Sequence, residues 1–311
     1  MAKEHNKREE LIKNLQQKYD AIGLNLDTHL SGLLQQEPIT YWDYIQVDAL
    51  LGLQTKRTVF PDEMVFIMYH QINELIFKMI LWEIEQVAHH KALTTVFFTE
   101  RLLRISRYFD LLTNSFDIMT QGMEVDQYMK FRNSLAPASG FQSAQYRKIE
   151  FASTELINLI DARFRETIDR NTSYEHALDH LYWQAAGKDH ATGEKMYFLT
   201  AFEERYRDDF VAFTQEYNTI NLSAKFKSLP VEDQKNPELI KAMRHYDYTV
   251  NITWVMAHYR TAVKYLNSHG NKAESTGGSA WAKYMHPKYQ KRIFFPELWS
   301  DEERQNWGHD L

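Results

Sequence analysis

The chain contains no cysteine. That excludes disulfides, thiol nucleophiles, iron–sulfur clusters, thioether-attached haem and cysteine-based zinc sites, and any haem would need a His, Tyr or Met ligand. Breakers are scarce, with seven prolines and eleven glycines in 311 residues, so a sheet of many short strands is disfavoured and a helical protein is expected. There is no basic excess. A net charge of −6 offers no footprint for nucleic acid or an anionic membrane. The opening MAKEHNKREELIKN lacks an apolar core, so no secretory signal is expected. No apolar run is read as a membrane span, and a soluble cytoplasmic protein is the expectation.

Aromatics are abundant, at 14% with seven Trp, which promises a large rigid core or pocket. Leu11, Ile12, Leu15 and Tyr19 recur at helical spacing over residues 3–20. Residues 22–60 are irregular and read as an extended arm with a short helix around Tyr41–Tyr44. From Asp62 the pattern becomes apolar around most of the circumference through Val87, as in the buried helix of a bundle. Further helices are predicted over about 94–121, 124–134, 142–170, 173–186, 192–217 and 238–268. With no repeat or linker, the expectation is one all-α domain of roughly eight to eleven helices spanning residues 1–311.

Several residues invite a chemical reading. His176 and His180 share a helix face, but no HExxH pattern accompanies them, so a solvated face is expected. His245 and Asp247 have the spacing of a His-x-Asp iron motif, yet on a helix side chains two apart diverge by about 200°. Phe66 and His70 stand one turn apart on the most apolar helix; Tyr128 and Arg132 do the same just before the loop LAPASG. His258 lies in another strongly apolar helix. Ser275-Thr276-Gly277-Gly278 is a small polar loop with neither the Lys nor the preceding strand of a phosphate loop. It can be a plain connection or a loop that closes over a ligand.

The segments DEMVFIMYHQINELIFKMILWEI, FRNSLAPASGFQSAQYRKIEF, WVMAH, STGGS and FPELW occur in that order. Together they resemble the tryptophan 2,3-dioxygenases from about Tyr41 to Trp299. The resemblance implies a single helical-bundle haem domain, a cytoplasmic homotetramer, and cleavage of the indole C2–C3 bond of L-tryptophan by O2 to N-formylkynurenine, the first step of the kynurenine pathway. It implies haem b with His258 as the axial iron ligand and Ser139 beside the haem. It also implies His70 as the distal histidine, with Phe66, Tyr128, Arg132 and Thr276 binding substrate. Tyr41 and Tyr44 match an N-terminal pair that reaches a neighbouring subunit, which makes residues 1–58 an arm. The chain departs from the family pattern at Ser275, Trp281, Val255 and Ala257. Two alternatives follow: a related haem oxygenase acting on a modified tryptophan or indole, and a non-catalytic haem- or indole-binding protein.

Overall fold

The computed structural model describes residues 2–135, 140–188, 192–266 and 285–309. Among them there is no β-strand, only isolated bridges between Ile160 and Leu181 and between Lys188 and Lys195. The chain divides into two compact units, Met1–Gln54 and Thr55–Leu311.

The first unit consists of α1 (Ala2–Ala21), α2 (Leu26–Leu33), α3 (Tyr41–Ile45) and α4 (Val47–Leu51). The arm is thus more helical than its sequence suggests. Asn25 and Thr40 cap α2 and α3 by accepting backbone N–H groups, which satisfies donors that short helices otherwise leave open.

The second unit is built on two long helices, α5 (Asp62–Ala88) and α6 (Thr95–Gln121), packed along each other. Acidic Asp62 and Glu63 open α5, favourable at a helix N-terminus, and Thr94 caps α6. Then follow α7 (Val125–Leu135), α8 (Ala144–Ser153), α9 (Tyr174–Leu178), α10 (Tyr197–Tyr217), α11 (Leu222–Lys227) and α12 (Val231–Gln234). The chain continues through α13 (Pro237–Tyr248), a π-helical turn (Thr249–Thr253) and α14 (Trp254–Leu266), then α15 (Pro287–Gln290) and α16 (Asp301–Gln305). Helix α6 is the centre. It packs against α5, α13 and α14, and Phe98, Leu102, Ile105, Phe109 and Leu112 on it are fully buried.

Two expectations are corrected. The helix read over 142–170 stops at Ser153. There Thr154 is extended (φ −148°, ψ 171°), and its hydroxyl donates to the Phe294 carbonyl, 2.5 Å away. Ser153 hydrogen-bonds Tyr246, so tertiary partners outcompete helix propagation. The helix read over 173–186 is α9 followed by the 3-10 segment Tyr182–Gly187, with the Ile160–Leu181 bridge between them. Helix α5 is long and apolar enough by length and composition alone to cross a membrane, though Glu74 and Lys78 interrupt its apolar run. Its Ile76, Phe77, Ile80, Ile84 and Val87 enter the core, while Met68, Ile72, Leu75, Met79 and Trp82 stay exposed.

Candidate active site

Helix α5 presents Phe66 and His70 one turn apart, with ring centroids 4.1 Å from each other. His70 Nδ1 lies 2.7 Å from the Phe66 carbonyl oxygen. A carbonyl only accepts, so Nδ1 carries the proton and Nε2 is left with its lone pair outward. The imidazole keeps exposed surface, yet surrounding protein desolvates it enough to lower its pKa; the Phe66 carbonyl and Glu74 oppose that shift.

Helix α7 supplies Tyr128, Phe131 and Arg132. Tyr128 and Phe131 lie 6.0 and 5.7 Å from Phe66. Arg132 is buried. Burial pushes the Tyr128 phenol up, and the Arg132 guanidinium, hydrogen-bonded to it, opposes this.

Helix α14 supplies the third wall. His258 stacks on Phe116 of α6 at 5.5 Å and 16° and stands 6.0 Å from Trp254. Tyr265 meets Tyr128 at 4.5 Å and donates to the Met119 carbonyl, tying α14 to α6 and α7. Neither ring nitrogen of His258 hydrogen-bonds to a described residue. Burial brings its pKa down to about 4, with repulsion from a charged His70 adding to the effect. Both histidines are therefore neutral at pH 7 and near enough to feel each other's charge. His258 is half-buried by area but strongly desolvated. Gly140, at the end of the LAPASG loop, comes against it: a Cβ there would meet His258 Cε1 at 3.8 Å.

Of the residues singled out in the sequence, Phe66, His70, Tyr128, Arg132 and His258 converge. Ser139 and Thr276, like Ser275 and Trp281, lie outside the described residues. Tyr41 and Tyr44 belong to α3 in the N-terminal unit, and their rings are exposed. Phe116, Phe131 and Tyr265 were missed. Their spacing marks them only as core, and nothing local distinguishes a cleft wall from any other buried aromatic. His176 and His180 share a turn, the imidazole of one bonding the other's carbonyl, and no metal-holding cluster exists among the described residues. Asp247 is buried and its side chain is engaged with Asn251, Phe294, Phe295 and Trp299.

The fit to a haem can be judged from these donors. An axial ligand must be a neutral imidazole with a free nitrogen in an apolar surround. His258 meets each condition, with neither ring nitrogen bonded to a described residue, whereas His70 has its Nδ1 engaged by the Phe66 carbonyl.

Two histidines with lowered pKa values, an aromatic wall and a buried arginine thus come together within one helical bundle. The comparisons with known proteins identify the class, and the chain belongs to the tryptophan 2,3-dioxygenase family. The family profile, described as tryptophan 2,3-dioxygenase, matches residues 29–192. The tryptophan 2,3-dioxygenase of Bacillus thuringiensis subsp. konkukian is 31% identical over 279 residues, covering 85% of this chain and 92% of the relative. That of Geobacillus thermodenitrificans is 29% identical over 283 residues, again 85% and 92%. The Ruegeria enzyme of the same name is 39% identical over 117 residues, 37% of this chain and 41% of the relative.

Proposed function

We infer that this chain is a haem-dependent tryptophan 2,3-dioxygenase, opening the indole C2–C3 bond of L-tryptophan with O2 to give N-formylkynurenine. The observation that carries the reading is the pair of neutral imidazoles in one aromatic cleft beside Arg132. His258 is the residue that would hold haem b, whose bound iron supplies O2 activation. His70 Nε2 accepts the indole N–H, a donor that would otherwise be buried unpaired. Phe66 and Tyr128 hold the ring plane and exclude water. Arg132 pairs the substrate carboxylate with its planar fork, and the family resemblance assigns further polar roles to Thr276 and Ser139.

Residues 1–311 act as one catalytic domain in a cytoplasmic homotetramer, with 1–58 as an arm to a neighbouring subunit. Exposed Tyr41, Trp42 and Tyr44 support the arm, because clustered exposed aromatics need cover. The exposed row Met68, Ile72, Leu75, Met79 and Trp82 on α5 supports assembly, since its alternating four- and three-residue spacing is that of a helix–helix seam.

The deciding experiment reduces the haem-loaded protein anaerobically, adds O2 and L-tryptophan, and follows the absorbance of N-formylkynurenine. Product at catalytic turnover is expected. A haem-replete ferrous protein that forms none would overturn the reading.

A further inference from the structure

The helix that carries His258 is interrupted by the π turn Thr249–Thr253. Such turns are rare and often sit beside functional sites. Its consequence follows from the contacts made with α6. Phe109 and Phe116 are seven residues apart, so on an α-helix they share a face to within about 20°. Tyr246 rests on Phe109 at 6.1 Å, and His258 stacks on Phe116 at 5.5 Å. Between them Trp254 touches both phenylalanines, at 6.2 and 6.3 Å. Tyr246 and His258 are twelve residues apart. On an uninterrupted α-helix they would point about 120° apart, and His258 would leave α6; eleven residues would return them to within about 20°. The π turn absorbs the twelfth residue.

The turn is also pinned. Asp247, wholly buried, accepts from Asn251 Nδ2 across the turn at 2.8 Å. It accepts as well from the backbone N–H of Phe294 at 2.9 Å and of Phe295 at 3.0 Å, and from Trp299 Nε1 at 2.9 Å. Both carboxylate oxygens are thereby occupied, and the last turn of α13 is locked to the segment 294–299. Within the turn Thr249, Val250, Asn251 and Ile252 are buried, while Thr253 is exposed.

We propose that Asp247 and Asn251 are positioning residues, holding the π turn and so setting the angular register in which His258 faces the cleft. The proposal rests on the reading of His258 as the iron ligand. The alternative conformation is an ordinary α-helix through 249–253. In that state His258 points elsewhere and Ala257 takes its place.

The test is haem titration of the apoprotein, with the ferric absorption and paramagnetic resonance spectra as readouts of axial ligation and circular dichroism as the check on folding. Asn251→Ala and Asp247→Asn should weaken haem binding by about 10- to 100-fold, the range for partners that orient a metal ligand, and alter the axial signature. Deleting the exposed Thr253 in the Asn251→Ala background should restore affinity and spectrum, because eleven residues then bring His258 round on a plain α-helix. A merely structural role would not be rescued by a deletion. Deleting Thr253 from the otherwise unaltered chain should preserve His ligation, whereas inserting an alanine after Thr253 should abolish it. Wild-type affinity and spectra in the substituted proteins, or loss of ligation on deleting Thr253 alone, would overturn the proposal. His258→Ala separates the two readings: if it keeps the wild-type axial signature, the ligand assignment is wrong whatever the turn variants do.

Discussion

At the scale of single residues, the proposed site would pair groups that an apolar surround otherwise leaves unpaired. Arg132 is buried and engaged with Tyr128, so in the proposed role a bound carboxylate would meet a guanidinium already oriented. Truncating one partner of such a pair typically costs about 2–5 kcal/mol. Arg132→Ala should therefore lower kcat/KM for L-tryptophan by roughly 30- to 4000-fold. Arg132→Lys should recover little, since a point charge does not replace the fork. Steady-state kinetics checks this, and equal kcat/KM for wild type and Arg132→Ala would place the carboxylate elsewhere. His70 acts differently. With Nδ1–H held by the Phe66 carbonyl, Nε2 would be an acceptor for a very weak acid, so the proposed contribution is orientation rather than obligatory proton removal. His70→Ala should retain measurable turnover, lowered by about 10- to 1000-fold, within the usual reach of one positioned group. Complete loss in a haem-replete variant would instead indicate base catalysis.

At the scale of elements, α6 is the beam on which the cleft is hung. Its outer half, Phe98 to Leu112, belongs to the main core, and its inner end, Phe116 and Met119, borders the site. Met243 on α13 is wholly buried among these residues. Met243→Ala should destabilise the protein by about 2–5 kcal/mol, as large-to-small changes in a packed core do. Urea unfolding measures it, and a change below about 0.5 kcal/mol, the range of neutral surface substitutions, would show that the α6–α13 seam is loose. The long helices were legible from the sequence because each has an apolar face long enough to show its period: α5, α6 and α7 begin and end within a residue of expectation. The stretch from Thr154 to Lys195 was not. There the buried Thr154 hydroxyl bonds the Phe294 carbonyl, and the backbone N–H of buried Asp161 donates to the His180 carbonyl; such non-local bonds leave no periodic mark.

At the scale of the whole molecule, burial and charge set the response to pH. Asp247 is pushed up to about 6 by burial despite its four donors, and His258 is brought down to about 4. As pH falls from about 6.5 to 4, the unfolded chain protonates His258 and the native state does not, which removes stability. Over part of that window the native state protonates Asp247 and the unfolded chain does not, which adds stability. The two oppose each other, so the Tm of the apoprotein should slope gently there. Glu155, Asp161 and Asp179 are held below the ordinary carboxylate range by Arg170 and Lys227, by Arg163, and by Arg207 and Lys195, each against the pull of burial. Their stabilisation is complete above about pH 4.5 and is lost as pH falls through their lowered values. Tm against pH should therefore drop steeply below about 4; a curve flat to pH 2.5 would contradict these assignments. The arm makes a further prediction. Removing residues 1–40 should weaken assembly in light scattering and raise KM for tryptophan, and an unchanged oligomer with unchanged KM would show that it serves neither.

What the sequence by itself determined is the class of helix-rich fold, the long core helices, and the five side chains that meet in the cleft. Helical spacing pairs Phe66 with His70 and Tyr128 with Arg132 before any tertiary contact exists, and the family motifs carry their order. Only the tertiary structure decided that Phe116, Phe131 and Tyr265 wall that cleft, that His70 carries its proton on Nδ1, and that a π turn brings His258 round to α6. Each of these depends on the meeting of residues far apart in the chain, and a rotation of about 100° per residue means that one residue more or less between Tyr246 and His258 changes which side chain faces the site.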